Sequence, residues 1–235
     1  MTSGSAATAV TIHTRGLLFD MDGILVSSLG SVERSWSKWA AGRGIDAVSA
    51  VRMAHGRRAI DTLRELLPDA DHFAELKAIE DLEVADTSDL RVLDGVMALL
   101  QALPRDRWTI VTSATDRLAR ARLAHAGVPV PERIVTGEMV TLGKPSAEPY
   151  CKGAEILGLA PEDCVVVEDS VAGVQAGLAS GCRVLATTFS HSAEQLAAAT
   201  WIVKSLADVA VTVLDDGRGL MLELPAGALQ PRRAV

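Results

Sequence analysis

The chain has 235 residues, with 23 Lys and Arg against 30 Asp and Glu for a formal net charge of −7, and is 49% hydrophobic and 23% charged. This composition excludes a disordered chain, a collagen-like repeat and a disulfide scaffold, and the length fits one large domain or one domain with a smaller insertion. The acidic balance, with only 3% aromatic residues, argues against a sequence-independent grip on nucleic acid, which needs clustered Lys and Arg and stacking platforms.

Residues 1–14 contain no Lys or Arg and no apolar run of signal-peptide length. Nowhere does an apolar stretch reach the about 18 residues of a membrane span, so a cytoplasmic protein without a membrane partner is expected. The first apolar run is Gly16-Leu17-Leu18-Phe19, and similar runs follow at Trp108-Thr109-Ile110-Val111, Cys164-Val165-Val166-Val167, Arg183-Val184-Leu185-Ala186 and Trp201-Ile202-Val203. Alternating with helical stretches, they predict a parallel sheet wrapped by helices. Residues 28–90 break the alternation: they hold no convincing strand, but Val32, Trp36 and Trp39 share one helical face and Ile60, Leu63 and Leu67 another. The expected fold class is therefore α/β, a Rossmann-like parallel sheet built from 1–27 and 91–235, with 28–90 inserted as a small helical domain.

Farther along, Val171, Val174 and Leu178 followed by Gly181 mark a helix and its stop. Ser192 with Gln195, and Ser205 with Asp208, read as helix N-caps. After Asp215, Gly217 and Gly219 are expected to turn a hairpin into a strand over Leu220–Leu224, with 230–235 frayed. Cys151, Cys164 and Cys182 have neither disulfide nor zinc spacing and are expected to be small buried hydrophobes in a reducing compartment.

The chemistry concentrates at the ends of the apolar runs. Phe19-Asp20-Met21-Asp22-Gly23 sets two carboxylates directly after a strand, and open α/β sheets bind ligands outside the carboxyl ends of their strands. Residues i and i+2 of a continued strand point the same way, so Asp20 and Asp22 can face one ligand while Gly23 frees the backbone to turn. A polar Asp-Gly turn would leave the same trace. Glu168-Asp169-Ser170 repeats the arrangement after a second run. If the two strands are neighbours, three or four carboxylates converge, and a hard divalent cation is the simplest neutraliser. Ligands of oxygen alone favour Mg²⁺ over zinc, although Glu168 or Asp169 capping the next helix is the plainer alternative. Thr112-Ser113-Ala114-Thr115 offers hydroxyls and a helix N-terminus to an anion, or simply a cap. Lys144 lies between Gly143 and Pro145 in a chain of five lysines and eighteen arginines. A compact ammonium fits among carboxylates and a phosphate where a guanidinium fork is too broad.

In this order, DMDGI at 20–24, IVTSAT at 110–115, GKP at 143–145 and VVVEDS at 165–170 resemble the haloacid dehalogenase superfamily, populated mostly by phosphatases. The helical insertion is similar to that superfamily's first type of cap, which closes over the site and selects substrate. Trp36, His55-Gly56-Arg57-Arg58 with Asp61, the stretch 143–150 and Ala186-Thr187-Thr188-Phe189 resemble phosphatases of glycerol phosphate, 2-deoxyglucose 6-phosphate and related sugar or polyol phosphates. The resemblance implies Asp20 as nucleophile and Asp22 as acid, then base. It implies Mg²⁺ held by Asp20, the backbone carbonyl of Asp22 and Asp169, with Glu168 direct or one step removed. Ser113, or else Thr112, and Lys144 would bind phosphoryl oxygens. His55 and Arg58 are expected to bind substrate from the cap, whereas Arg57 reads as solvated and Trp36 and Trp39 as an apolar helix face. Many members carry Thr and Asp where this chain has Ile24 and Ser27, a departure that bears on the hinge and cap.

The expected partner is a small phosphorylated metabolite, and the protein a monomer or weak homodimer. Asp22 separates the chain from dehalogenases and phosphonate hydrolases, which lack that carboxylate. A hexose phosphomutase shares every core residue but has a His ten residues after the acid/base Asp, where this chain has Val32. A phosphorelay receiver domain also combines an acidic pair, a phospho-accepting Asp, a Ser or Thr and a Lys, but on a shorter chain with no cap after its first strand.

Overall fold

The computed structural model describes residues 9–214 and 219–229. Its elements in chain order are β1 (Val10–Thr14), β2 (Gly16–Phe19), β3 (Val26–Ser27), α1 (Leu29–Ala41), α2 (Ala47–Ala54), α3 (Ala59–Leu66), α4 (His72–Ala85), β4 (Arg91–Val92), α5 (Val96–Ala102), β5 (Trp108–Ile110), α6 (Asp116–Ala126), α7 (Glu148–Ile156), β6 (Cys164–Glu168), α8 (Val171–Ala179), β7 (Arg183–Thr187), β8 (Trp201–Val203), β9 (Ala210–Val213) and β10 (Leu220–Leu224).

The five apolar runs form one parallel sheet in the order β5-β2-β6-β7-β8. Along each strand successive residues feed opposite apolar clusters: Leu17, Phe19, Val165 and Val167 face one, and Leu18, Val166, Val184 and Ala186 the other. Side chains alternate across a strand, so a sheet covered on both faces requires apolar residues at every position. The chain runs from β2 out to β5 on one side and then to β6 on the other, which opens a crevice at the carboxyl edge of β2. Phe19 pairs with both Ile110 and Val167, so the polar residues after these strands emerge in one row.

Helix α8 differs from its sequence pattern: Val174 is buried, but Leu178 is 37% exposed. Its inward face is instead Gly173, Val174, Ala176 and Gly177. The helix lies so close to the sheet that a Cβ on Gly177 would meet Val184 Cγ2 at 2.8 Å. Ser192 and Gln195 exchange hydrogen bonds of 3.0 and 3.4 Å over a turn that becomes no helix, because the chain must enter β8 at Trp201. Ser205 caps only a short 3-10 turn, accepting from the Ala207 N–H. A second sheet, β1-β10-β9, is antiparallel. It contains the expected strand at Leu220–Leu224, while Gly217 and residues 230–235 lie outside the described residues. Cys164 and Cys182 are buried, but Cys151 is exposed, contrary to expectation, on the outer face of α7. Among the described residues no helix is long and apolar enough to cross a membrane.

Helices α1 to α4 pack around their own cluster, in which Trp36 and Trp39 meet edge to face at 5.4 Å with Leu63 and Ile79 beside them. Asp46 and Asp71 cap α2 and α4 by accepting backbone N–H bonds. Where the chain enters and leaves this segment, β3 and β4 pair with each other, Val26 opposite Val92 and Ser27 opposite Arg91.

Candidate active site

Strand β2 ends by delivering Asp20 into the crevice, its backbone N–H donating to the Val167 carbonyl at 2.9 Å. The side chain is buried and receives Lys144 Nζ at 2.8 Å, and the same ammonium reaches Glu168 Oε1 at 2.7 Å. Burial pushes the Asp20 carboxyl up to about 7; Lys144 opposes this and the charge of Glu168 adds to it. Burial also works against the Lys144 ammonium, but Asp20 and Glu168 outweigh it and hold that group above its ordinary value. Lys144 stands on a loop fastened by Glu148, which accepts the backbone N–H groups of Thr141 at 3.0 Å and Leu142 at 2.8 Å.

Glu168 closes β6 with both oxygens occupied. Oε1 accepts from Lys144 and from the Tyr150 hydroxyl at 2.8 Å, and Oε2 from the Asp169 and Ser170 N–H groups and the Ser170 hydroxyl. Burial alone would raise its pKa, but Lys144 and these donors hold it below the ordinary value. Helix α8 can pass beside this carboxylate only because position 173 is glycine, where a Cβ would lie 1.7 Å from Oε1. Asp169, also buried, is pushed well above the usual carboxylate range by burial and then by the charges of Glu168 and Asp20. Ligand atoms of Asp20, Glu168 and Asp169 all lie within 4.8 Å of one another. A buried all-oxygen cluster with more negative than positive charge suits a hard cation, so the donor set fits a divalent metal.

Asp22 follows on a turn opened by Gly23, whose φ is +80°. A Cβ there would strike Asp169 Oδ2 at 1.9 Å, so both conformation and space require glycine. Asp22 Oδ1 accepts from the Ser28 hydroxyl at 2.6 Å and from Arg122 Nη1 at 2.9 Å. Ser28 stands at the N-cap of α1 without capping it; its hydroxyl goes to Asp22 instead. Arg122, buried on α6, also donates through Nη2 to Glu83 Oε1 of α4 at 3.1 Å. Sequence reading passed over Arg122, Glu83 and Ser28, because an Arg in an Arg-rich helix and a Glu in a helix full of acids carry no local signal.

The second hydroxyl pair lies at the end of β5. Ser113 Oγ donates to the Gly56 carbonyl at 3.1 Å, while Thr112 Oγ1 accepts from the Ala114 N–H at 3.1 Å. His55 ends α2 at the cavity wall, its pKa lowered by burial and then by His191, another wall residue that sequence reading missed. Arg58 departs from the substrate-binding expectation. Its Nε and Nη2 bind Asp61, and Nη1 and Nη2 donate to the carbonyls of Gly137, Val140 and Thr141. All five guanidinium donors are thereby engaged, and they staple the helical segment to the core. Arg57 pairs with Glu65 at the surface.

Between the helical segment and the sheet edge lies a cavity of about 540 Å³ with Asp20, Asp22, Thr112, Ser113 and Asp169 on its floor. Val32, Trp36, Ile60, Leu76 and Ile79 line its opposite side.

A model of the haloacid dehalogenase-like hydrolases matches residues 14–181, a span that includes every polar residue of the cavity floor. The chain is 42% identical over 211 residues to hexitol phosphatase A of Escherichia coli (strain K12), covering 88% of this chain and 98% of that protein. It is 30% identical over 200 residues to glycerol-1-phosphate phosphohydrolase 2 of Saccharomyces cerevisiae, covering 79% and 80% of the two chains. Among solved structures, CbbY from Rhodobacter sphaeroides with phosphate superposes with a TM-score of 0.73 at 22% identity, covering 83% of this chain and 96% of that one. The family model spans most of the chain and the relatives extend the likeness over 79–88% of it, so the chain belongs to the haloacid dehalogenase-like hydrolase family.

Proposed function

We propose that the protein is a Mg²⁺-dependent phosphatase that hydrolyses a small sugar or polyol phosphate through an aspartyl-phosphate on Asp20. The observation that carries this reading is a single buried cluster that opens on the cavity through Asp20 and Asp169, with Lys144 beside Asp20 and ligand atoms of Asp20, Glu168 and Asp169 within 4.8 Å of one another. A carboxylate oxygen of Asp20 attacks phosphorus, and the ester P–O bond breaks as the acyl-phosphate bond forms. Asp22 gives its proton to the departing sugar oxygen, then removes one from the water that attacks phosphorus. The Asp20–phosphoryl bond breaks, and inorganic phosphate and the free carboxylate return.

Lys144 and the hydroxyl of Ser113 or Thr112 hold phosphoryl oxygens as charge shifts between attacking and leaving atoms. Asp20, Asp169 and the backbone carbonyl of Asp22 are the residues to hold Mg²⁺; Glu168, with both oxygens already bonded, orients Lys144 and Asp169 from behind. The ion, when bound, neutralises the carboxylates and the phosphoryl group. Residues 28–90 serve as the cap, hinged on the paired β3 and β4, with Arg58 as a staple and His55 facing substrate. The free cysteines suit a reducing compartment such as the cytoplasm. Val32 puts an apolar side chain on the cavity wall where a mutase carries its sugar-directed His, which favours water as the acceptor.

Phosphate release from glycerol 1-phosphate, 2-deoxyglucose 6-phosphate and a hexitol phosphate tests the reading. It requires Mg²⁺-dependent turnover abolished in Asp20→Asn; turnover that survives that substitution overturns it.

A further inference from the structure

Three residues distant in the chain meet at the acid/base carboxylate: Asp22 after β2, Arg122 on α6 and Glu83 on α4. We propose that Arg122 positions Asp22 for proton transfer and that Glu83 makes this positioning depend on the seating of the cap. The inference rests on the phosphatase reading above.

The geometry at Asp22 is one-sided. Ser28 and Arg122 both donate to Oδ1, and Oδ2 accepts no hydrogen bond from the described residues. Oδ2 is therefore the oxygen free to carry a proton to the leaving group. Arg122 is 2% exposed, and a buried guanidinium needs its charge met by carboxylates. Here it is divided, Nη1 to Asp22 at 2.9 Å and Nη2 to Glu83 at 3.1 Å. A guanidinium facing one carboxylate alone turns to the two-pronged fork that engages both oxygens. Glu83 prevents this by occupying Nη2, and it does so only while α4 of the inserted segment lies against α6 of the core. With α4 withdrawn, Arg122 is left with Asp22 alone and draws Oδ2 into the fork. Proton transfer is thus available when the cap is seated and withheld when it is not.

A leaving-group comparison tests this. An alkoxide departs poorly without a proton, whereas p-nitrophenolate needs little help, and kcat/KM reports events only through departure of the leaving group. In Arg122→Met, kcat/KM for glycerol 1-phosphate is expected to fall about a hundredfold and that for p-nitrophenyl phosphate less than about threefold, the scale of a general-acid contribution. Glu83→Gln should show the same preference at smaller size, and adding it to Arg122→Met should cost nothing further, because Glu83 acts through Arg122. Equal losses on both esters, or losses that multiply in the double variant, overturn the proposal. If Arg122→Met does not fold, Glu83→Gln alone decides by the same comparison of esters. A wild-type protein that hydrolyses neither ester sinks the phosphatase reading itself, an outcome distinct from a uniform loss in the variants.

Discussion

Lys144 shows how much one side chain can carry. It is the cation between two buried carboxylates, so Lys144→Met leaves Asp20 and Glu168 facing each other unpaired. Breaking a buried pair in this way costs about 3–5 kcal/mol; the urea midpoint is expected to drop accordingly, with phosphate release lost. Glu148, which fastens the Lys144 loop, makes a prediction in pH. The backbone N–H groups of Leu142 and Thr141, and then the side-chain ammonium of Lys152, lower its pKa to about 2 from an ordinary 4.5. A depressed folded-state pKa contributes stability that is present above the unfolded value and is lost as pH falls through the folded one. The gap in urea midpoint between wild type and Glu148→Gln should therefore be full near pH 5 and narrow toward pH 2; a gap constant with pH would contradict the assignment. The two arginines mark the limit of sequence reading at this scale. Arg58 stood out beside a motif yet has its five donors engaged in joining two parts of the chain, while Arg122 carried no signal and reaches Asp22 across 100 residues.

At the scale of elements, the five parallel strands were legible because burial on both faces leaves an unbroken apolar run. Strand β1 was not: Val10–Thr14 alternates exposed Thr11 and His13 with buried Ile12 and Thr14, a polar-looking pattern that makes sense only beside β10. Helix α8 was legible as a helix, but the stripe that marked it is not its inward face, because contact this close selects small residues over large apolar ones. The same closeness yields a prediction. Gly173→Ala puts a methyl group 1.7 Å from Glu168 Oε1, so either the helix or the carboxylate must shift. A lower melting temperature together with loss of Mg²⁺-dependent turnover is expected, whereas Gly158→Ala, where a Cβ meets nothing within 4 Å, should leave turnover intact and strain only its own left-handed turn.

For the whole molecule, the proposed metal site predicts a link between stability and Mg²⁺. Asp20, Glu168 and Asp169 repel one another in a buried site, and an ion that binds only the folded state stabilises it, by about 2.7 kcal/mol at one hundred times its dissociation constant. Thermal melts should rise with Mg²⁺ in wild type. Asp169→Asn, which removes one of the repelling charges, should melt higher than wild type without metal and respond little to it; a variant that keeps the full Mg²⁺ shift would remove Asp169 from the metal site. The helical segment proposed as the cap belongs to this scale too. Arg58→Met removes a staple between 28–90 and the core loop at 137–141, so KM is expected to rise several-fold more than kcat falls, read from steady-state phosphate release.

By itself the sequence determined the α/β class, the strands buried on both sides and the order of the acidic, hydroxyl and lysine segments, because these follow from local periodicity and from residues adjacent in the chain. Only the tertiary structure decided which donors each carboxylate receives. Glu168 is saturated by Lys144, Tyr150 and its own following turn, whereas Asp22 receives Ser28 and Arg122 on one oxygen alone. Those pairings join residues brought together by strand register and by the seating of one helix on another, and no periodicity along the chain records them.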